Sequence, residues 1–225
     1  MSKCESCIIK QFNSLKSLSK EELIRISACK TSRTVKKGEI IFDEGEMLNG
    51  VFCVREGIGK LTKLSANGKD QTVTLVVKGE LLGQRSIISD ERTNLRATAL
   101  NDMELCFIPK SEIMKDLNNN PNFTLDLLKR MALDLKEADN VIVNMAQKSV
   151  RQRLAEALLN INESFGTNAD GTLSVLLSRE DFASIVGTAT ESAIRVLSQF
   201  KKEGLISTVG KKIKVENLDG LRRIE

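Results

Sequence analysis

Glu191 and Arg195 stand one helical turn apart, and both side chains suit the edges of nucleobases. A carboxylate accepts from cytosine N4, while a guanidinium donates to guanine O6 and N7 together. Arg179, Thr188, Thr190, Ile194, Lys202 and Lys211 lie around them as further candidate contacts. Lys201, Lys212 and Lys214 add charge of the kind that meets phosphates. The same residues also have plainer uses. Thr188-x-x-Glu191 fits a capping box, and Glu191 with Arg195 fits an i,i+4 ion pair on a solvated face. The residues alone leave both alternatives open.

The elements that must position these side chains can be read from residues 177–215. A first helix is predicted over 179–186, with Ser178 as N-cap, Asp181 three residues on, and Phe182, Ile185 and Val186 on one apolar face. Ala183 is small enough for a second helix to cross closely, and Gly187 supplies the backbone freedom of a tight turn. The second helix is predicted to start at Thr188. Its Ala193, Val196, Leu197 and Phe200 recur at i, i+3, i+4 and i+7 and must face a core, so Glu191, Arg195 and Lys202 face outward. Gly204 ends this helix, and two β-rich runs flank Gly210. Helix, turn, helix and hairpin in that order make a winged helix-turn-helix.

Upstream, Ser19 with Glu22 opens a short amphipathic helix over 19–27. From Thr34 to Pro109, glycines separate short runs at 39–42, 50–54, 60–64 and 72–77, and Asn67-Gly68 reads as a hairpin turn. Such spacing indicates a β-roll or jelly roll. A short helix over 110–117 and a break at Asn120-Pro121 precede a long helix over 122–145. Leu128, Leu135 and Ile142 fall at one heptad position there and Met131, Ala138 and Met145 at the other, a seam for a second copy of the chain. Leu125, Leu127, Val141 and Val143 offer a second apolar face for packing on the β-domain. A further amphipathic helix is expected over 147–165. The fold class is therefore α+β, with a β-roll over 1–118, a dimerisation helix over 119–146 and the winged helix-turn-helix over 147–225.

Composition narrows the function. The chain has 225 residues, a net charge of +4, five cysteines and no His, Tyr or Trp. Without histidine the commonest general base and nitrogen metal ligand are missing, which argues against hydrolytic and zinc-histidine enzymology. No phosphate-loop motif or paired catalytic carboxylates nominate an enzyme. From Lys148 onward 12 Lys/Arg face 10 Asp/Glu, so any basic surface must be local. No run approaches a membrane span, no basic-then-apolar leader is evident and the odd cysteine count does not suit a disulfide scaffold; a cytoplasmic protein without membrane partners is expected.

Five ordered segments, KKGEIIFDEGE at 36–46, VREGIGKLTK at 54–63, KGELLGQRSI at 78–87, ELCFIPKSE at 104–112 and LSREDFASIVGTATESAIRVLSQFKKEGLI at 177–206, resemble the cyclic-AMP receptor protein / fumarate-nitrate reductase regulator family of bacterial transcription factors. The resemblance implies a homodimer that presents two helices to successive major grooves of a palindromic double-stranded operator, with RNA polymerase as a further partner. It assigns base reading to Glu191 and Arg195. Ile194 stands where the oxygen-sensing branch has serine, and Thr190 where the cyclic-AMP branch has arginine. A TGA-like core half-site is expected, with the outer bases open. A β-roll that binds a ligand or protein, with the winged helix contacting proteins, is the alternative; it predicts salt-steep DNA binding without site preference.

For the effector, the resemblance points away from cyclic AMP. Nucleotide-binding members carry a Gly-Glu that holds the ribose and an Arg-Ser that clamps the phosphate. Here Gly83 is followed by Gln84, Leu95-Arg96 precedes Ala97, and Ala138-Asp139 replace the adenine contacts. Arg96 alone retains a charge for the phosphate. Cys4, Cys7 and Cys106 match three of the four thiolates that hold a [4Fe–4S] cluster in the oxygen-sensing branch. The fourth position, six residues after Cys7, is Asn13. Cys29 is the candidate to complete the set if the N-terminal segment folds back, and Cys53, in an apolar run, reads as a buried structural thiol. A cysteine redox switch, or no cofactor, remains the alternative to an iron–sulfur cluster.

Overall fold

The computed structural model describes residues 7, 11, 13–65, 68 and 70–224. Two compact units divide the chain: residues 1–69 with 73–136, and residues 70–72 with 137–225.

The first unit is built around two four-stranded sheets. Strands β1 (Thr31–Val35), β2 (Ile40–Phe42), β3 (Gly50–Glu56), β4 (Gly59–Leu64), β5 (Asp70–Val76), β6 (Leu81–Leu82), β7 (Arg96–Ala99) and β8 (Met103–Pro109) assort as β1-β8-β3-β6 and β2-β7-β4-β5. β8 pairs antiparallel with both β1 and β3, and β7 with both β2 and β4. β3 is apolar on both faces, which is the signature of a strand covered on two sides. Phe52 links the two sheets through its rings: it stacks on Phe42 at 6.0 Å and meets Phe107 in a tilted contact at 5.2 Å. The expected hairpin turn at 66–69 lies outside the described residues except for Gly68, whose φ is positive.

Helix α1 (Lys20–Cys29) opens on the predicted capping box: Ser19 Oγ accepts from the Glu22 amide while the Glu22 carboxylate accepts from the Ser19 amide. It buries Leu23 and Ile26 against the β-roll. α2 (Gln84–Ser89) is short, and α3 (Lys110–Asn119) runs two residues past its predicted end. Arg25 of α1 is held by Glu112 at 2.7 Å and by the buried Asp116, both on α3.

The long helix α4 (Pro121–Gln147) starts with proline in its first turn, where a missing amide costs nothing. Phe123 and Leu127 are buried, but Leu125, Val141 and Val143 are exposed. The second apolar face expected from these residues is therefore confined to the first turns. The seam residues Leu128, Leu135 and Ile142 are 59, 65 and 66% exposed in the single chain.

In the second unit, α5 (Val150–Phe165) does not continue from residue 147 as expected. Ser149 breaks the run and caps a new helix, with Gln152 completing the box. Leu154, Leu158 and Ile161 of α5 form a core with Phe182 and Val186 of α6 (Arg179–Val186) and with Ala193, Val196, Leu197 and Phe200 of α7 (Thr190–Lys202). The hairpin β9 (Ile206–Val209) and β10 (Lys212–Val215) follows, then α8 (Leu218–Arg222). Ser178 caps α6 as predicted, its hydroxyl accepting from the Asp181 amide at 3.0 Å. Ser178→Ala is expected to lower stability by about 1 kcal/mol, read as a drop in the thermal midpoint.

Candidate functional site

The turn between α6 and α7 fixes where the outward-facing side chains emerge. Gly187 adopts φ +62°, which favours glycine, while a Cβ there would press only on the flexible end of Met145, 2.9 Å from its Sδ. The Thr188 amide then donates to the Ala183 carbonyl at 3.0 Å. With its backbone closing the turn, Thr188 cannot open the helix. α7 begins instead at Thr190, with Ala189 as N-cap and no side-chain cap bond. This corrects the predicted start and removes the capping box as an explanation of Glu191.

Glu191 falls in the first turn of α7, where a carboxylate suits the helix dipole, and is exposed. Arg195 is exposed one turn further along the same face, beside Ile194. Among the described residues Glu191 and Arg195 form no ion pair with each other. Neither plainer use accounts for them. Behind them Ala193, Val196, Leu197 and Phe200 are buried, which locks the rotation of the helix and hence the direction of both side chains. Thr188 and Thr190 are half-buried at the turn.

Arg151 was missed by sequence reasoning. Its guanidinium lies over the Phe200 ring at 4.9 Å and makes bonds of 3.1 and 2.6 Å to the Glu203 carboxylate, fastening α5 to the end of α7. Only the long-range packing of α5 on α7 brings these groups together. Arg179, expected among the outward contacts, is instead half-buried, and its Nη2 donates to the Gly210 carbonyl at 3.3 Å. Desolvation lowers its pKa. Its place is between the start of α6 and the hairpin tip.

The lysines divide into two groups. Lys212 is paired with Asp170 at 2.9 Å and Lys214 with Glu216 at 3.0 Å, so their charge is largely spent within the domain. Hydrogen bonds from Thr172 and Lys212 hold the Asp170 carboxyl below the usual carboxylate range. Lys202 in the last turn of α7 and Lys211 at the hairpin tip are exposed and outside these pairs.

In the β-roll, Gly83 precedes α2 with φ +84°, and a Cβ would meet Leu48 Cδ1 at 2.6 Å. Gln84 follows it, half-buried. Arg96 sends Nε and Nη2 to the two oxygens of Asp43 at 2.7 and 3.2 Å, a bidentate pair. That pair holds the Asp43 carboxyl below its ordinary range. The charge expected to face a phosphate is thus matched by a carboxylate.

Cys4 lies outside the described residues. Cys7 is half-buried and packs against the β-roll core; Cys106 on β8 is buried; Cys29 is exposed at the end of α1. Cys53, read from the sequence as structural, is buried directly opposite Cys106. Among the described residues no three Cys, Asp or Glu already stand together as a metal-binding group. Thiols are the donor type that iron–sulfur clusters use, but those among the described residues are not gathered into one site. Among the described residues no helix is long and apolar enough to cross a membrane.

Residues 32–120 match the cyclic nucleotide-binding domain family, and residues 152–224 match the Crp-like helix-turn-helix domain. The Fumarate and nitrate reduction regulatory protein of Escherichia coli (strain K12) is 26% identical over 225 residues, covering 98% of this chain and 89% of its own length. The Anaerobic regulatory protein of Haemophilus influenzae is 26% identical over 222 residues, covering 97% and 86%. Among solved structures, FixK2 from Bradyrhizobium japonicum is similar with a TM-score of 0.77 at 23% identity, covering 87% of this chain and 97% of that one. A CRP/FNR family transcriptional regulator from Thermus thermophilus gives 0.72 at 25%, covering 85% and 96%.

Proposed function

We propose that this chain, which belongs to the Crp/Fnr family of transcription regulators, works as a homodimer that reads a palindromic DNA operator with one α7 helix per protomer. The observation that carries the reading is the state of Glu191 and Arg195. Both are exposed on the face of α7 opposite its buried residues, and neither is engaged by a cap or by the other. Placed in a major groove, Arg195 donates to guanine and Glu191 accepts from cytosine on neighbouring base pairs. Thr188, Thr190 and Ile194 then border the same bases, while Lys202 and Lys211 take phosphates. Arg179 braces the hairpin tip that carries Lys211. The exposed seam of α4 supports the second copy. RNA polymerase is the expected partner at the promoter, and the cytoplasm the expected compartment.

Selection from a random duplex library, followed by titration against competitor DNA, tests the reading. A recovered palindrome that survives competitor is the expected result. Salt-steep binding with no preferred sequence would overturn it in favour of a protein-binding winged helix. Lys211→Ala is expected to weaken specific and random binding alike and to lower the slope of log K against log salt by about 1 per protomer; filter binding across a salt series measures it.

For the β-roll we read an iron–sulfur cluster rather than cyclic AMP as the signal. The bidentate Asp43–Arg96 pair speaks against the nucleotide, because the one cation left in the phosphate clamp already has an anion, while the cysteines at positions 4, 7 and 106 are what supports the cluster. Such a cluster, when bound, supplies a redox- and oxygen-sensitive centre. The protein's own part is to hold it by thiolates from the N-terminal segment and the sheet, and to favour one arrangement of the dimer over another.

A further inference from the structure

We propose that Met145 and Arg153 are positioning residues that fix the spacing of operator half-sites, by fastening the last turns of α4 to the helix-turn-helix of the same protomer. The inference rests on the reading of this chain as a homodimer on a palindrome. In such a dimer α4 carries the seam and α7 meets the bases. The geometry of the tie between them then sets the half-site spacing, and its stiffness sets the tolerance to other spacings.

The division of the chain locates that tie. Residues 137–147, about three turns of α4, belong to the same compact unit as α5, α6 and α7. Only Lys148 and Ser149 separate α4 from α5, and two residues outside a helix leave several backbone torsions to turn. Two contacts made by Met145 restrain them. Arg153, in the first turn of α5, donates from Nη1 to the Met145 carbonyl at 2.8 Å. That carbonyl is among the last four of α4, which lack their usual partners inside the helix. The Met145 side chain meets the α6–α7 turn, with Sδ and Cε 2.9 and 3.3 Å from the position of a Cβ on Gly187. Glycine there lets the thioether lie directly on the backbone of the turn.

Both contacts end on rigid parts. Arg153 adjoins the fully buried Leu154, and the Gly187 turn is closed by the Thr188 amide on the Ala183 carbonyl. Met145 was expected in the heptad seam, yet it is half-buried within its own protomer, whereas Leu128, Leu135 and Ile142 are at least 59% exposed. The seam therefore ends at Ile142, and Met145 serves the protomer instead. Adding one base pair between half-sites moves them about 3.4 Å apart and turns one about the other by roughly 34–36°. Two α7 helices held firmly to one seam do not follow that change.

The experiment uses the full chain and four duplexes: the selected palindrome, the same palindrome with one base pair added or removed at its centre, and a single half-site. Fluorescence anisotropy gives affinities, and sedimentation gives the oligomeric state. Wild type is expected to lose about 10²-fold or more on the altered spacings, because only one α7 then engages. Met145→Ala combined with Arg153→Met is expected to reduce that penalty to about tenfold or less, with half-site affinity and the dimer unchanged. Arg153→Lys can still donate to the carbonyl and is expected to keep the wild-type penalty. Should Arg153→Met fail to fold, Met145→Ala alone must lower the penalty, since its side chain is only half-buried. An undiminished penalty in the folded variants would overturn the proposal. So would an equal loss on half-site and palindrome, which would mean that the α6–α7 turn itself had been disturbed. Monomers from Met145→Ala would return that residue to the seam and also overturn it. Each of these outcomes leaves the dimeric reading of the operator standing, whereas a selection that yields no palindrome removes that reading and this proposal together.

Discussion

Arg195→Ala is expected to cost about 1–3 kcal/mol at each half-site, hence roughly 2–6 kcal/mol on a palindrome that engages both copies. The loss should be selective. Arg195 is exposed, and the apolar residues that hold α7 in place lie on its other face, so the thermal midpoint should hold within the range of ordinary surface changes. Affinity for random duplex should fall only by the share of one charge. Competition of the selected operator against mutated operators, for wild type and variant, separates these terms. If Arg195 reads guanine, the variant loses discrimination at one base pair per half-site and keeps it elsewhere. An equal loss on specific and random DNA would make Arg195 a phosphate contact and undo the base-reading assignment. Glu191→Gln gives a companion result: relaxed preference at the neighbouring pair, with total affinity preserved or raised because a negative charge has left the interface.

How far these residues could be read in advance depended on how local their determinants are. The boxes at Ser19 and Ser178 involve groups three residues apart, so the sequence announces them and both form. The start of α7 differs from the expectation because the Thr188 amide bonds back to the Ala183 carbonyl across Gly187, a local bond that ends α6 and spends Thr188 on that task. The helix expected to run on from residue 147 restarts at Ser149: apolar periodicity passes through that position, while the Ser149/Gln152 box forms a new cap there. Arg151 on Phe200 and Arg96 on Asp43 join residues about 50 positions apart and have no local signature. Cys53 is the clearest case. Its neighbourhood with Cys106 exists only once β3 and β8 are set in register, and a one-residue slip would send the two thiols to opposite faces.

Leu135→Asp is expected to convert a dimer to monomers and to lower operator affinity by about 10²–10⁴-fold. Leu128, Leu135 and Ile142 stand on one seam of α4, each more than half exposed in the single chain. At about 1.5–3 kcal/mol per buried side chain, three such residues from each of two copies supply a gross gain of roughly 9–18 kcal/mol. Association costs about 4–15 kcal/mol of that gain. The balance is narrow enough that two carboxylates facing each other at the middle of the seam should reverse it, since neither has a partner when buried. The protomer itself should remain folded, because Leu135 contributes little to its own core; circular dichroism should be unchanged. Sedimentation at micromolar concentration should then report a monomer. Operator affinity falls because the second α7 is no longer tethered at high effective concentration beside the first. A dimer that survives the substitution would move the interface away from this seam. A monomer that still binds the palindrome with wild-type affinity would show that a single α7 suffices, and the symmetric reading of the operator would fail with it.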